Sequence, residues 1–565
     1  MKNHPNSANS YLDLGNSQLA EGKFEEAFAS YRKSIEINPT YAIAHNNLGN
    51  ALQLAGKLIE SEKSYLLALE FDENFVEALV NLGNTQRAMG KFNEAENNYR
   101  AAIALDSDLF QAHCNLGATL LDIGRIESSI ECFEKALKIE PSIPQIHNNL
   151  CIALIKSGQD SKAEIVCRKA LSLDPNSAVA HNNLGTILQK MSRFQEAQAS
   201  FLEAIRLLPA YAEAYNNLGN NCRMQYKLEE AVKCYRNAIS LNKNFADAYC
   251  NLAICFNEQK KYIEAEAGFL RALALKPNYG EAHYNFGNTL KAVKRYDEAI
   301  SHYIKVTNST ATSLVLECLY MAGRYDEFFG KLNIVSNADR ANIRVAAISA
   351  FVSNQLCKED VYPFCPDPIH FLKIAHLSDF IDDWELLISD ILTEANSYEL
   401  TWESRTTKFG YQSLGNLFDK TRPHAALLER VIDVALVEYL KEFQKVTNVF
   451  IKEWPQKRRI MAWFNKLLKG GYQQSHIHPT GWLSGVIYLE TIDSSSDTEG
   501  AIEFGLHGYD LPILDANFPR FRHSPKPGDI VLFPSSLFHK TLPFNTEQSR
   551  CVIAFDLMPI SEIGH

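Results

Sequence analysis

Over the first three hundred residues the apolar positions recur with a period of 34. Leu14, Leu48, Leu82, Leu116, Leu150, Leu184, Leu218, Leu252 and Phe286 fall into one column without a slip. The next position is always small (Gly15, Gly49, Gly83, Gly117, Cys151, Gly185, Gly219, Ala253, Gly287), as it must be where two helices would otherwise collide. Further along each unit come a small residue such as Ala27 or Ala95, an aromatic such as Tyr31, Tyr65 or Phe201, and often a proline such as Pro39 or Pro141. The pattern predicts two antiparallel helices per unit, with proline ending the second. A weaker unit follows at 316–328, and one more helix is expected at 342–351. The stretch 361–368 breaks helix three times with proline and predicts a linker. Helical periodicity returns at 383–392 and 425–443. From Arg459 onward it gives way to short apolar strands at 460–467, 472–478, 483–489, 501–504, 529–533 and 550–557. Helices followed by strands at this spacing predict a double-sheet jelly roll with helical support.

The 34-residue unit resembles the tetratricopeptide repeat over residues 8 to 308. The expected division is nine repeats in 1–308, a degenerate repeat and capping helix in 309–358, a linker and helical support in 359–458, and a jelly-roll core in 459–565. The fold class is thus multidomain: an all-α tetratricopeptide superhelix, then an α+β double-stranded β-helix (jelly-roll) domain. Before each marker leucine stands Asp13, and then Asn47, Asn81, Asn115, Asn149, Asn183, Asn217, Asn251 and Asn285. The resemblance places this position on the first helix, facing the concave groove. An asparagine amide donates twice and accepts twice, so a ladder of them could hold an extended peptide without reading its side chains. Helices packed roughly 10 Å apart would meet about every third residue of a chain advancing about 3.3 Å per residue. A similar ladder lines the superhelix of the O-linked N-acetylglucosamine transferases, which this part resembles; the bland alternative is that asparagine is simply common at this repeat position.

Chemistry concentrates near the C-terminus. Gln474-Ser475-His476-Ile477-His478-Pro479 puts imidazoles on alternate residues of an expected strand, where i and i+2 share a face. His539 follows sixty-one residues after His478, where another apolar strand is expected to end, and Arg550 comes eleven residues later. Residues 400 to 560 resemble the non-haem Fe(II), 2-oxoglutarate-dependent oxygenases, in a bacterial branch with Leu483-Ser484-Gly485-Val486-Ile487-Tyr488 after the first motif and Pro527-Gly528-Asp529 before the last histidine. In these enzymes three ligands hold one face of the metal and leave the other for co-substrate and dioxygen. The resemblance implies His476 and His539 as ligands and Arg550 as the partner of the far carboxylate of 2-oxoglutarate; Tyr488 and Asn465 lie on strands that could point into the same pocket. His478 occupies the slot of the usual carboxylate ligand. Either it ligates, giving an all-histidine face, or the metal keeps an extra water. A cupin is the rival reading, but the glutamate it needs is replaced by Trp482 or Leu483.

Composition narrows the partners. The chain has 565 residues and a formal charge of −11 without a basic tract, so a nucleic-acid backbone is not the expected partner. The polar N-terminus has no apolar signal core, and no run of eighteen apolar residues follows; a cytoplasmic protein with no membrane partner is expected. Most of the twelve cysteines, including Cys151 and Cys167, fall inside the repeats and read as small, reduced, semi-buried side chains at positions otherwise Ala, Asn, Gly or Ser. Of sixteen histidines, His45, His113, His147, His181 and His283 share one repeat position and read as packing residues; His507 and His523 are expected in solvated loops. Together these features point to a dioxygenase using Fe(II), 2-oxoglutarate and dioxygen to hydroxylate a protein or peptide held in the repeat groove. A non-catalytic scaffold with an inactive jelly roll and a cupin-like enzyme remain alternatives.

Overall fold

The computed structural model describes residues 7–402, 406–419, 422–493 and 498–560. Most of the polar N-terminus lies outside them. The chain divides into two compact units, residues 1–261 and 262–565. Helices alternate regularly from α1 (Ala8–Ala20) and α2 (Phe24–Ile37) to α17 (Gly280–Ala292) and α18 (Tyr296–Tyr303), two per 34 residues. The small column works as its spacing suggests. A Cβ built on Gly185 would stand 2.6 Å from the Phe201 ring, and one on Gly287 2.5 Å from Tyr303, so wherever the column holds glycine the aromatic of the unit packs against it. The fifth unit changes both members at once: Cys151 takes the glycine place and Cys167 the aromatic place, and both are fully buried. Cys167 therefore does not replace a small residue, contrary to expectation. All twelve cysteines are free.

The histidine column is structural. Nε2 of His45, His113, His147, His181 and His283 lies 2.9–3.0 Å from the carbonyl oxygen six residues earlier, tying each first helix to the turn before it.

In the second unit the array ends with α19 (Ser309–Met321), α20 (Tyr325–Ala338) and α21 (Ile343–Gln355). The expected linker is not a free tether. Tyr362 and Phe364 are fully buried, the Tyr362 hydroxyl donates to the Asp339 carbonyl, and Phe364 packs edge-on against Trp482. Apolar side chains that cannot be left in water draw this segment into a strap between cap and sheet. Beyond it come β1 (Lys373–His376), α22 (Trp384–Ala395), β2 (Leu400–Trp402), β3 (Thr407–Ser413), α23 (Pro423–Phe443), the short α24 (Val449–Lys452), β4 (Arg458–His476), β5 (Leu483–Glu490), β6 (Ile502–Gly505), β7 (Arg520–His523), β8 (Asp529–Pro534), β9 (Phe538–Thr541) and β10 (Arg550–Pro559). The strands form one antiparallel sheet in the order β1-β8-β5-β10-β4-β9-β6-β7, with β3 also on β4 and β2 on β3. This is the jelly roll.

The strands expected at 460–467 and 472–478 are one 19-residue strand, β4. It bends at Gly470, whose φ is +77°, and at Gly471, where a Cβ would meet the Leu468 carbonyl at 2.6 Å. The bend lets the strand pair with β10 along its first half and with β9 near its end. The loop between β6 and β7 docks on the cap. Gln355 accepts from the backbone N–H groups of Leu514 and Asp515 and donates to the Asp515 carbonyl, while the Tyr320 hydroxyl donates to the Pro512 carbonyl.

Candidate metal centre

Strand register brings the histidines together. β9 runs antiparallel to β4 with His476 directly opposite His539, so the two rings face each other across one ladder step, centroids 4.3 Å apart. His539 does not end the β8 strand as expected. β8 stops at Pro534, and a turn through Ser535 and Ser536 carries the chain into β9. His478 lies just past the end of β4, not within it; its backbone N–H donates to the Ser535 carbonyl at 3.1 Å. Its ring centroid comes within 5.2 Å of His476 and 5.0 Å of His539. One ring nitrogen from each of the three lies within 4.8 Å of the others, close enough to converge on one ion.

The second nitrogen of each ring decides the tautomer. Nδ1 of His476 is 2.7 Å from the Gln474 carbonyl, Nδ1 of His539 is 3.2 Å from the Leu537 carbonyl, and Nδ1 of His478 is 2.5 Å from Asp556 Oδ1. A carbonyl or carboxylate oxygen can only accept, so each Nδ1 carries the hydrogen. In a neutral ring Nε2 is then left with the lone pair, the form in which imidazole binds a metal. Burial works in the same direction: it lowers His476 to about 4 and His539 well below the usual histidine range, with the neighbouring imidazoles adding to both shifts. At neutral pH these two rings are uncharged.

Arg550 opens β10 and is 1% exposed. Its Nε and Nη1 have no hydrogen-bond partner, and neither does the Asn465 amide nor the Tyr488 hydroxyl, all of them buried. Register explains the grouping, because Asn465 on β4 and Tyr488 on β5 both sit opposite Val552, two residues from Arg550. The guanidinium carbon stands 4.9 Å from the Tyr488 ring centroid. Burial raises the Tyr488 phenol, with the guanidinium opposing the shift. Buried polar groups left unpaired cost about 1–3 kcal/mol each, and a guanidinium, an amide and a phenol unsatisfied together suit a ligand with carboxylate oxygens. A cavity of about 220 Å³ joins the three histidines to Arg550, with Trp463 and Asp556 also in its wall.

Two residues went unnoticed in the sequence. Asp556 is six residues from Arg550 on one strand, so period-2 alternation puts it on the same face; Ser484, opposite Asp556 on β5, donates to it at 2.7 Å. Of the residues weighed against the site, Trp482 and Leu483 are core side chains. His507 and His523 are half-buried rather than fully solvated, and His523 lies on β7, not in a loop: the first is 2.8 Å from the Leu511 carbonyl and the second 2.9 Å from Asp529. The eight ladder asparagines are half-buried. Asn47, Asn81, Asn115, Asn217 and Asn251 each donate to an asparagine on the preceding repeat, whereas Asn285 donates to the Glu281 carbonyl, Asn149 accepts from Gln145, and Asn183 Nδ2 is buried without a partner.

Comparison with known proteins finds two kinds of family match. Residues 461–556 match the family described as "Putative 2OG-Fe(II) oxygenase". Tetratricopeptide profiles match 15–56, 83–124, 110–143, 176–244, 234–267 and 280–312. No curated protein matches. Among solved structures, the APC/C hetero-tetramer Cut9–Hcn1 is 17% identical over 51% of this chain, with a TM-score of 0.39, and the chain spans 57% of that partner's length. A tetratricopeptide repeat protein from Parabacteroides merdae is 18% identical over 44% of this chain and 99% of its own, with a TM-score of 0.39. YrrB, described as a repeat protein with an unusual peptide-binding site, is 22% identical over 33% of this chain and 96% of its own, with a TM-score of 0.28. Among the described residues no helix is long and apolar enough to cross a membrane.

Proposed function

We propose that this chain, a tetratricopeptide array followed by a 2-oxoglutarate/Fe(II)-oxygenase domain, hydroxylates a protein or peptide recruited by its repeats. The observation that carries the reading is the pairing of two features in one cavity: three Nδ1-protonated imidazoles turned toward a common point, and a buried arginine with unpaired nitrogens. His476, His478 and His539 would hold Fe(II), which with 2-oxoglutarate and dioxygen supplies the oxidising chemistry for a C–H bond. Arg550 would orient the co-substrate through its far carboxylate; Asn465 and Tyr488 do not line the cavity, and their part would be to support the guanidinium. Val486 on β5 and Val552 and Ala554 on β10 give the cavity its apolar lining; wherever such surface keeps water out, electrostatic contacts strengthen. Three neutral rings bring no charge to the ion, so the residues behind them matter.

For the repeats, the support is the line of half-buried asparagine amides on successive first helices. Several spend one donor on the preceding repeat and keep further hydrogen-bonding capacity.

The deciding measurement is calorimetric titration of 2-oxoglutarate into anaerobically Fe(II)-loaded protein, followed by assay of succinate in air. Binding with slow substrate-independent turnover is expected. A loaded protein with no affinity for 2-oxoglutarate would return the site to the cupin or scaffold readings.

A further inference from the structure

The geometry points to Asp556 as a positioning residue that holds His478 in its metal-binding form and supplies, one imidazole removed, the negative charge a direct carboxylate ligand would bring. The inference rests on the metal reading of the three histidines and adds to it a role that no expected ligand carries.

Three observations support it. Asp556 Oδ1 is 2.5 Å from His478 Nδ1, whereas the other two rings are oriented only by neutral carbonyl oxygens. The carboxylate is itself held: the Ser484 hydroxyl donates to the same oxygen at 2.7 Å and stands 2.8 Å from the Ser535 hydroxyl, and the Ser535 carbonyl takes the His478 backbone N–H. One small network therefore fixes both the ring and the backbone that carries it. Asp556 is also only 7% exposed, and a carboxylate so placed needs a partner of opposite or polarisable charge.

The position matters because His478 stands where a carboxylate ligand is expected. Three neutral imidazoles leave a divalent ion with its full charge in a buried cavity. With Asp556 hydrogen-bonded to Nδ1–H, electron density moves toward Nε2 and the ligand becomes more basic. The assembly of ion, three rings and Asp556 then has the net charge of an ion held by two histidines and one carboxylate.

The test is Co(II) binding to the full chain, measured by competition with a chelator and by the visible d–d bands. Asp556→Asn keeps an acceptor for Nδ1–H and removes only the charge; it should weaken Co(II) by about 10- to 100-fold and shift the bands. His478→Asp combined with Asp556→Asn moves the carboxylate into direct contact and should recover most of that loss, which a merely structural role for Asp556 does not foresee. Melting of the metal-free forms separates lost affinity from lost fold. If Asp556→Asn does not fold, the wild type still decides: its Co(II) form should show three hyperfine-shifted ring N–H protons that vanish in D2O, and two or fewer would overturn the assignment. Asp556→Asn binding Co(II) within twofold of wild type, with unmoved bands, would also overturn it while leaving the metal centre standing. A wild type that binds Co(II) no better than His539→Ala would remove both.

Discussion

Arg550 and His539 should separate cleanly on mutation. Arg550→Ala removes a guanidinium whose Nε and Nη1 have no protein partner, so no internal hydrogen bond of those atoms is lost and the three rings stay in place. A charge-assisted pair contributes about 1.5–3 kcal/mol, so 2-oxoglutarate should bind about 10- to 100-fold more weakly while metal content is unchanged. His539→Ala should lose the metal itself. Equal 2-oxoglutarate affinity in Arg550→Ala, read by calorimetry, would remove the anchor role. A second residue reports on the fold. Asp360 accepts from the Ser349 hydroxyl and the Tyr362 backbone N–H, and burial raises its carboxyl to about 6. A raised folded-state value means that folding prefers the protonated acid; its stabilising contribution is full below about pH 3.8 and is lost as the pH rises through about 6. Asp360→Asn can accept both hydrogen bonds without a charge. It should melt close to the wild type near pH 4 and gain about 3 kcal/mol at pH 7; a gain independent of pH would contradict the buried-charge account.

The helix pair is the unit in which the repeats were legible, and the reason is packing between two named positions. Gly185 meets Phe201 as Gly219 meets Tyr235, with a built Cβ 2.6 Å from the ring in both, and the fifth unit exchanges both partners for Cys151 and Cys167. Gly185→Cys alone should cost about 1–3 kcal/mol by overpacking, and Phe201→Cys alone about 2–4 kcal/mol through a cavity. Together they should cost less than the sum, by 0.5 kcal/mol or more, in denaturant unfolding; simple additivity would mean the two columns do not touch as the structure has them. Strands were less legible, since β1, β2, β3 and β7 are short or carry mixed patterns such as Arg520-Phe521-Arg522-His523, three of whose four residues are exposed. Their place is set by partners far along the chain. His476, His539 and Arg550 are legible as candidates because a spacing motif names them. Asp556 is not, because its role exists only where β10 passes the end of β4. Leu14 shows the opposite limit: it heads its column in sequence, yet it is 46% exposed where Leu82 is 1% exposed.

At the scale of the molecule, a repeat array and a domain matching a putative 2OG-Fe(II) oxygenase share one chain. Within residues 262–565 the connection is partly covalent and partly packed: the strap at 361–368 and the β6–β7 loop both rest on the cap helices. Ser475 Oγ donates to the His507 carbonyl at the base of that loop, one residue from a proposed ligand. Gln355→Ala removes three hydrogen bonds that fix the loop tip; it should raise proteolytic cleavage within 506–518 severalfold without loss of bound metal, and unchanged cleavage would mean the cap does not hold the loop. In residues 1–261 the asparagines can be sorted by what they already bind. Asn81 and Asn217 each donate to the preceding repeat, so Asn81→Ala and Asn217→Ala should lower the melting temperature. Asn183 Nδ2 has no partner and Asn149 only accepts from Gln145 of its own helix, so replacing these two with Ala should leave the repeats folded. If the ladder holds a peptide backbone, each lost hydrogen bond counts for about 0.5–1.5 kcal/mol, and the pair should weaken partner capture by about tenfold. Metal content should not change, since the three histidines belong to the other compact unit. Proteins retained by the double variant in the same amounts as by wild type, at equal melting temperature, would show that the asparagines serve the packing of the repeats and not a bound chain.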